Sequence, residues 1–159
     1  MTDRELLRAA IAGAVGAVRR GDEDGALERF GRLAGGSGLT LRDSVLELAE
    51  ANVEMLHTLI GPDAEEDLLV TLADGDGAGL PGSIDETEPA QRASARVLLA
   101  LANNHHDDAE TQLDIVEAAP DPEETGQVFA HTVSWTLELL EVCADNGRPV
   151  PPWLRPVLP

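Results

Sequence analysis

Apolar residues recur at intervals of three and four positions along most of this chain, the periodicity of an α-helix with one buried face. The segment after residue 40 shows it most clearly, with the stripe Val45, Leu48, Ala49, Asn52, Val53, Leu56, Leu59 and Ile60. No segment shows the alternation expected of a half-buried strand, and no apolar run reaches the ~18 residues of a membrane span. The sequence therefore predicts an all-α fold, an up-down helical bundle of about six to seven helices.

Capping and turn residues set the predicted helix boundaries. Thr2-x-x-Glu5 has the pattern of a capping box that opens the first helix, Asp107-x-x-Glu110 has the same pattern, and Asn146-Gly147 is a stop signal. The predicted helices cover residues 3–20, 23–34, 41–60, 63–73, 88–103, 107–119 and 124–145. They form a single domain, residues 1–147, which contains a flexible acidic loop at about 74–86 and is followed by a Pro-rich C-terminal tail, residues 148–159.

An internal duplication is suggested at an offset of 83 residues. Without gaps, this offset pairs Val15 with Leu98, Ala26 with Ala109, and Val45 with Val128. Both halves then consist of a long helix, an acidic turn, a short helix, a break and a second long helix. Two units are too few for a solenoid, so the pattern favours a bundle of two pseudo-repeated helical units.

The charge is strongly asymmetric. The 159 residues carry 30 acids and 11 basic residues, all arginine, for a formal net charge of −19. Seven of the arginines and six acids lie in residues 1–42, which leaves 24 acids and four arginines in residues 43–159. Nucleic acids and anionic membranes both select clustered basic residues, so neither is an expected partner. Either the N-terminal arginines dock on the acidic remainder, in the same or a second subunit, or a basic protein does.

The partner-binding candidates follow from this asymmetry. On the helix at 41–60, three acids share the face opposite the apolar stripe with His57, a face we interpret as solvated; two further acids lie on the next predicted helix. Trp153 in the Pro-rich tail could anchor in a groove of its own domain, which we favour, or in a partner. The candidates are Glu47, Glu50, Glu54, Glu65, Glu66 and Trp153.

The densest group of metal-ligand residue types is His105-His106-Asp107-Asp108, with His131 as a further imidazole. Imidazole and carboxylate suit divalent metals, but adjacent residues on a loop rarely point at one ion. The simpler interpretation is a helix end followed by the cap of the next helix. These five residues define the alternative function, a small-molecule or metal-binding helical bundle, including a hydrolase.

No stretch of the sequence assembles a nucleophile, a base and an oxyanion donor, so the pattern favours binding over catalysis. We expect a cytoplasmic, non-catalytic interaction or regulatory module, without cofactor, whose acidic surface binds a basic protein partner or a second copy of the chain. An antitoxin, immunity or regulator protein that masks a basic effector would present the same surface, and the sequence does not separate these classes.

Overall fold

A computed structural model describes residues 2–22, 24–26, 28, 41–60, 89–119 and 123–158. The chain is an all-α helical bundle, as predicted. Within the described residues there is no strand, and no helix is long and apolar enough to cross a bilayer. The helices are α1 (Asp3–Arg19), α2 (Leu41–Ile60), α3 (Pro89–Ala102), α4 (His106–Glu117), α5 (Glu124–Asp145) and a C-terminal 3-10 helix (Pro152–Val157). The predicted helix at 63–73 and the loop at 74–86 lie outside the described residues.

Helix α5 is the centre of the bundle. It packs along α2 and α3 and also contacts α1 and α4, while the C-terminal 3-10 helix packs on α1. The main core joins these elements through fully buried side chains such as Ile11, Leu48 and Leu154. A second apolar cluster surrounds Trp135 between α2, α3 and α5. The broad apolar surface of the last helix, evident in the sequence, is explained by its several partners.

The helix ends follow the predicted local chemistry. Thr2 accepts a hydrogen bond from the amide of Glu5, and Glu5 accepts one from the amide of Thr2, so the capping box is present. At the end of α5, Gly147 has φ +62°, and the amide of Arg148 donates to the carbonyl of Cys143. This left-handed glycine closes a Schellman motif and lets the tail turn back over the bundle.

The predicted capping box at Asp107 is wrong. Asn104 adopts φ 60°, and the amide of His105 donates to the carbonyl of Ala100 at 2.7 Å, which closes α3 in a Schellman motif. The chain then re-enters a helix at once, with His105 as the N-cap residue and no side-chain capping bond. Asp107 therefore lies in the first turn of α4, where its charge interacts favourably with the helix dipole.

The 83-residue offset is reproduced by the helix positions and by burial. Adding 83 to the start of α2 gives residue 124, the first residue of α5. Six residues of α1 are buried, and five of them, Leu7, Ala10, Ile11, Ala14 and Val15, align with buried residues of α3, namely Ala90, Ala93, Ser94, Val97 and Leu98. Gly21, which closes α1 with a positive φ, aligns with Asn104, which closes α3. These correspondences support two pseudo-repeated units.

Candidate functional site

A cleft lined mainly by acids lies between the N-terminal halves of α1 and α2. Its volume is about 490 Å³, and its lining residues are Asp3, Arg4, Leu7, Asp43, Leu46, Glu47 and Glu50. We call it the acidic cleft. Four carboxylates and one guanidinium surround two leucines, so the cleft combines an excess of acidic side chains with an apolar patch. It contains two of the predicted partner-binding residues, Glu47 and Glu50.

Glu47 holds two guanidinium groups at the same carboxylate oxygen. The Nε atoms of Arg4 and Arg8 both donate to Glu47 Oε1, at 3.0 and 2.6 Å. Arg4 also reaches the carboxylate of Glu50, with Nη2 3.5 Å from Oε2. The predicted solvated face is therefore wrong for Glu47, because α1 covers its side chain and leaves it only 11% exposed.

The two arginines differ in how firmly they are held. Arg4 has a side chain 58% exposed, whereas Arg8 is 33% exposed and its guanidinium carbon lies 5.5 Å from the centroid of the Trp153 ring. The hydrogen bond to Glu47, followed by the attraction of that carboxylate, raises the pKa of Arg4 above its ordinary value. The Arg4–Glu50 ion pair is exposed on both sides, and pairs of this kind contribute about 0–1 kcal/mol, so this contact holds Arg4 only weakly.

The other partner-binding candidates lie apart from the acidic cleft. Glu54 is exposed on the next turn of α2, where its carbonyl accepts a hydrogen bond from the hydroxyl of Thr58 at 2.9 Å. Glu65 and Glu66 lie outside the described residues. Trp153 is half-buried against α1 of the same chain, beside the buried Leu154. The tail that carries it is held by Arg19, which donates to the carbonyl of Val157.

His57, the fourth residue of the predicted solvated face, is half-buried. Its Nε2 atom is shielded from solvent and has no hydrogen-bond partner among the described residues. The helical spacing placed His57 on the outer side of its own helix but contained no information about what packs over it.

Four of the five metal-ligand candidates lie together on one exposed turn. His105, His106, Asp107 and Asp108 line an open surface hollow with Asn104, and His105 Nδ1 lies 3.7 Å from Asp108 Oδ2. His131 lies on α5, half-buried, and does not line this hollow. In the described part of the chain, no group of three or more His, Cys, Asp or Glu residues is arranged to hold a metal ion.

No protein-family model, curated protein or solved structure matches the chain. The function of the candidate site is therefore inferred from its geometry alone.

Part of the acidic cleft is indicated by the charge distribution along the sequence. The contrast between the arginine-rich N-terminal segment and the acidic remainder raised docking within one chain as one alternative, and Arg4 and Arg8 make that contact. Asp3 and Asp43 were not recognised as part of a site, because only the packing of α1 on α2 brings them to one cleft. Helical spacing orders the residues of one helix and does not specify which helix lies beside it.

Proposed function

We propose that this chain is a non-catalytic helical interaction or regulatory module whose acidic cleft binds a basic side chain of a protein partner. The observation that carries the proposal is the pair of guanidinium groups on Glu47, because it is a guanidinium-binding geometry formed by the chain itself. A cytoplasmic location belongs to the same proposal, as does a lack of nucleic-acid or membrane binding, which the net charge of −19 supports.

Arg4 is the residue that a partner would replace. Its hydrogen bonds to Glu47 and Glu50 are those that an incoming arginine would make. Its exposed side chain can move into water while the largely buried carboxylate of Glu47 keeps its ion pair with Arg8. Arg8 stays in place because it also packs on Trp153. Leu7 and Leu46, which line the cleft, can then contact the methylene stem of the bound arginine.

Binding of a fluorescein-labelled peptide of six arginines separated by glycines tests the proposal. Glu47→Gln with Glu50→Gln removes two charges from the cleft, and we expect the dissociation constant, measured by fluorescence anisotropy, to rise roughly tenfold or more. Arg4→Ala removes the competing group and should lower the dissociation constant severalfold.

The matched control removes the same charge elsewhere. Glu141→Gln with Asp145→Asn changes two exposed carboxylates on α5, far along the chain from the cleft residues. If peptide binding responds only to net charge, this double variant will weaken binding as much as the cleft variant does, and the acidic cleft is then not the binding site. Circular dichroism of each variant checks that the helices are intact.

A further inference from the structure

The outer face of α1, on the opposite side of the helix from the acidic cleft, presents an ordered pattern of small and charged residues. Together with the C-terminal 3-10 helix it forms an open groove of about 650 Å³, bordered by Trp153, Pro156 and Val157. The α1 residues in the groove, with Arg8 at its edge, are Glu5, Ala9, Ala12, Gly13, Gly16 and Arg20. We call these six residues the α1 outer face.

The spacing of these six residues is symmetric, and the two end charges are opposite. Glu5 and Arg20, Ala9 and Gly16, and Ala12 and Gly13 each lie equally far from the midpoint between residues 12 and 13. At 3.6 residues per turn, all six fall within about 50° of one line along the helix. When a second helix of the same sequence lies antiparallel on this face, each charged end therefore faces the opposite charge and the small residues face one another.

We propose that the α1 outer face is a self-association surface, on which α1 of a second copy of this chain packs antiparallel about a two-fold axis between residues 12 and 13. In that arrangement, Glu5 of each copy lies beside Arg20 of the other, at both ends of the contact. The same patch faces itself, as a closed two-fold interface requires.

Packing at the centre of this interface is permitted by the small residues. A Cβ atom added at Gly13 would meet nothing within 4 Å, and at Gly16 it would meet only the guanidinium of Arg20, at 3.4 Å. The bundle itself therefore does not require glycine at residue 13, and glycine there costs helix stability. A glycine at this position allows a second helix to approach closely, because a larger side chain would keep the two backbones apart.

The charges at the two ends fit a second copy better than an unrelated acidic helix. Arg20 is exposed and makes no ion pair within the described part of the chain, while Glu5 has one oxygen on the amide of Thr2 and can accept further bonds with its other oxygen. With its cap residue Arg20, α1 carries four arginines and two acids, in contrast to the acidic surfaces of α4 and α5. Pairing through α1 keeps those two acidic helices away from the contact.

Sedimentation velocity of the full chain, at concentrations up to about 100 µM, tests this inference. We expect a mass of twice 16.8 kDa for the unmodified chain. We expect a monomer for Gly13→Leu, whose added Cβ meets nothing within 4 Å in its own bundle and whose side chain occupies the centre of the contact. The matched control is Gly126→Leu on α5, another helical glycine with nothing within 4 Å, and it should leave the dimer intact.

Charge reversal gives the second readout. Arg20→Glu places like charges together at both ends of the contact and should raise the dimer dissociation constant about tenfold or more. Adding Glu5→Arg restores opposite charges and should restore the dimer, with circular dichroism reporting any loss of α1 capping.

A monomeric unmodified chain, a dimer that persists in Gly13→Leu, or a double variant no more dimeric than Arg20→Glu would overturn the inference. Because the acidic cleft lies on the other side of α1, peptide binding there can fail or succeed independently.

Discussion

The hydroxyl of Thr136 on α5 donates a 2.8 Å hydrogen bond to the side-chain carbonyl of Asn52 on α2, and both side chains are fully buried. The amide of Asn52 points at the carbonyl of Thr132, 3.5 Å away. This polar contact lies inside the interface between the two long helices that correspond in the pseudo-repeat. Because a buried amide is costly unless it is bonded, the contact favours one register of α2 along α5.

Thr136→Val tests the strength of this contact. The substitution keeps the shape of the side chain but leaves the buried carbonyl oxygen of Asn52 without its donor, so we expect a loss of about 1–3 kcal/mol in the free energy of unfolding measured with urea. Thr58→Val is the matched control, since the Thr58 hydroxyl bonds only within α2 at a partly exposed position. Equal losses for the two variants would show that the interhelical bond contributes nothing.

Docking of the C-terminal tail on its own bundle is tested by Leu154→Ala. Leu154 is fully buried in the main core, so its truncation should cost about 2–5 kcal/mol. Leu6→Ala, at a position on α1 that is 37% exposed, should cost much less. If urea unfolding shows no larger loss for Leu154→Ala, the tail is not packed in the core in solution.

The capping box of α1 gives a local prediction. Thr2→Ala removes the oxygen that accepts the amide of Glu5, and N-cap replacements of this kind cost about 0.5–2 kcal/mol. Thr111→Ala, in the exposed interior of α4, should be neutral or slightly stabilising because alanine is the better helix former. Thermal unfolding followed by circular dichroism compares the two, and a Thr2→Ala variant as stable as the unmodified chain would contradict the capping role.

A pH-dependent stability difference is expected at Glu138 on α5. Glu138 lies at the surface, but partial desolvation by its neighbours, followed by repulsion from Glu141, raises its pKa. The folded state thus binds this proton more tightly than the unfolded chain does, so ionised Glu138 costs stability at pH values above its raised pKa, and the cost disappears below the ordinary pKa of about 4.3.

Glu138→Gln should therefore be more stable than the unmodified chain at pH 7, by less than about 0.5 kcal/mol. The difference should shrink as the pH falls toward about 4, since the carboxyl group is then protonated in both states. Urea midpoints at a series of pH values measure it. A variant that is less stable at pH 7 would mean that the carboxylate has a favourable partner.

The helices could be predicted from the sequence because each is delimited by local chemistry. Thr2, Glu5 and Gly147 act on backbone groups within a few residues of themselves, so their effects can be read without knowledge of the fold. The error at Asp107 has the same origin. The sequence pattern places the N-cap of α4 at Asp107, but the Schellman motif at Asn104 ends α3 in such a way that α4 begins directly after His105. Asp107 is therefore already inside the first turn of α4.

The acidic cleft could not be predicted in full because it depends on contacts between helices. Glu47 lies opposite the apolar stripe of α2, which alone indicates a solvated residue, yet Arg4 and Arg8 from α1 cover it. The tail is similar, since its Pro-rich composition favoured docking in the same chain but left docking in a partner as an alternative. Side-chain packing around Leu154 and Trp153 decides between them.

Chemical-shift mapping of the isotope-labelled full chain, titrated with the arginine–glycine peptide, tests the function of the acidic cleft most directly. The amide and side-chain shifts that change should cluster on Asp3, Asp43, Glu47 and Glu50, and the Nε resonance of Arg4 should change as its ion pairs are released. Shifts that cluster on His105 to Asp108, or that scatter over the acidic surfaces of α4 and α5, would contradict it.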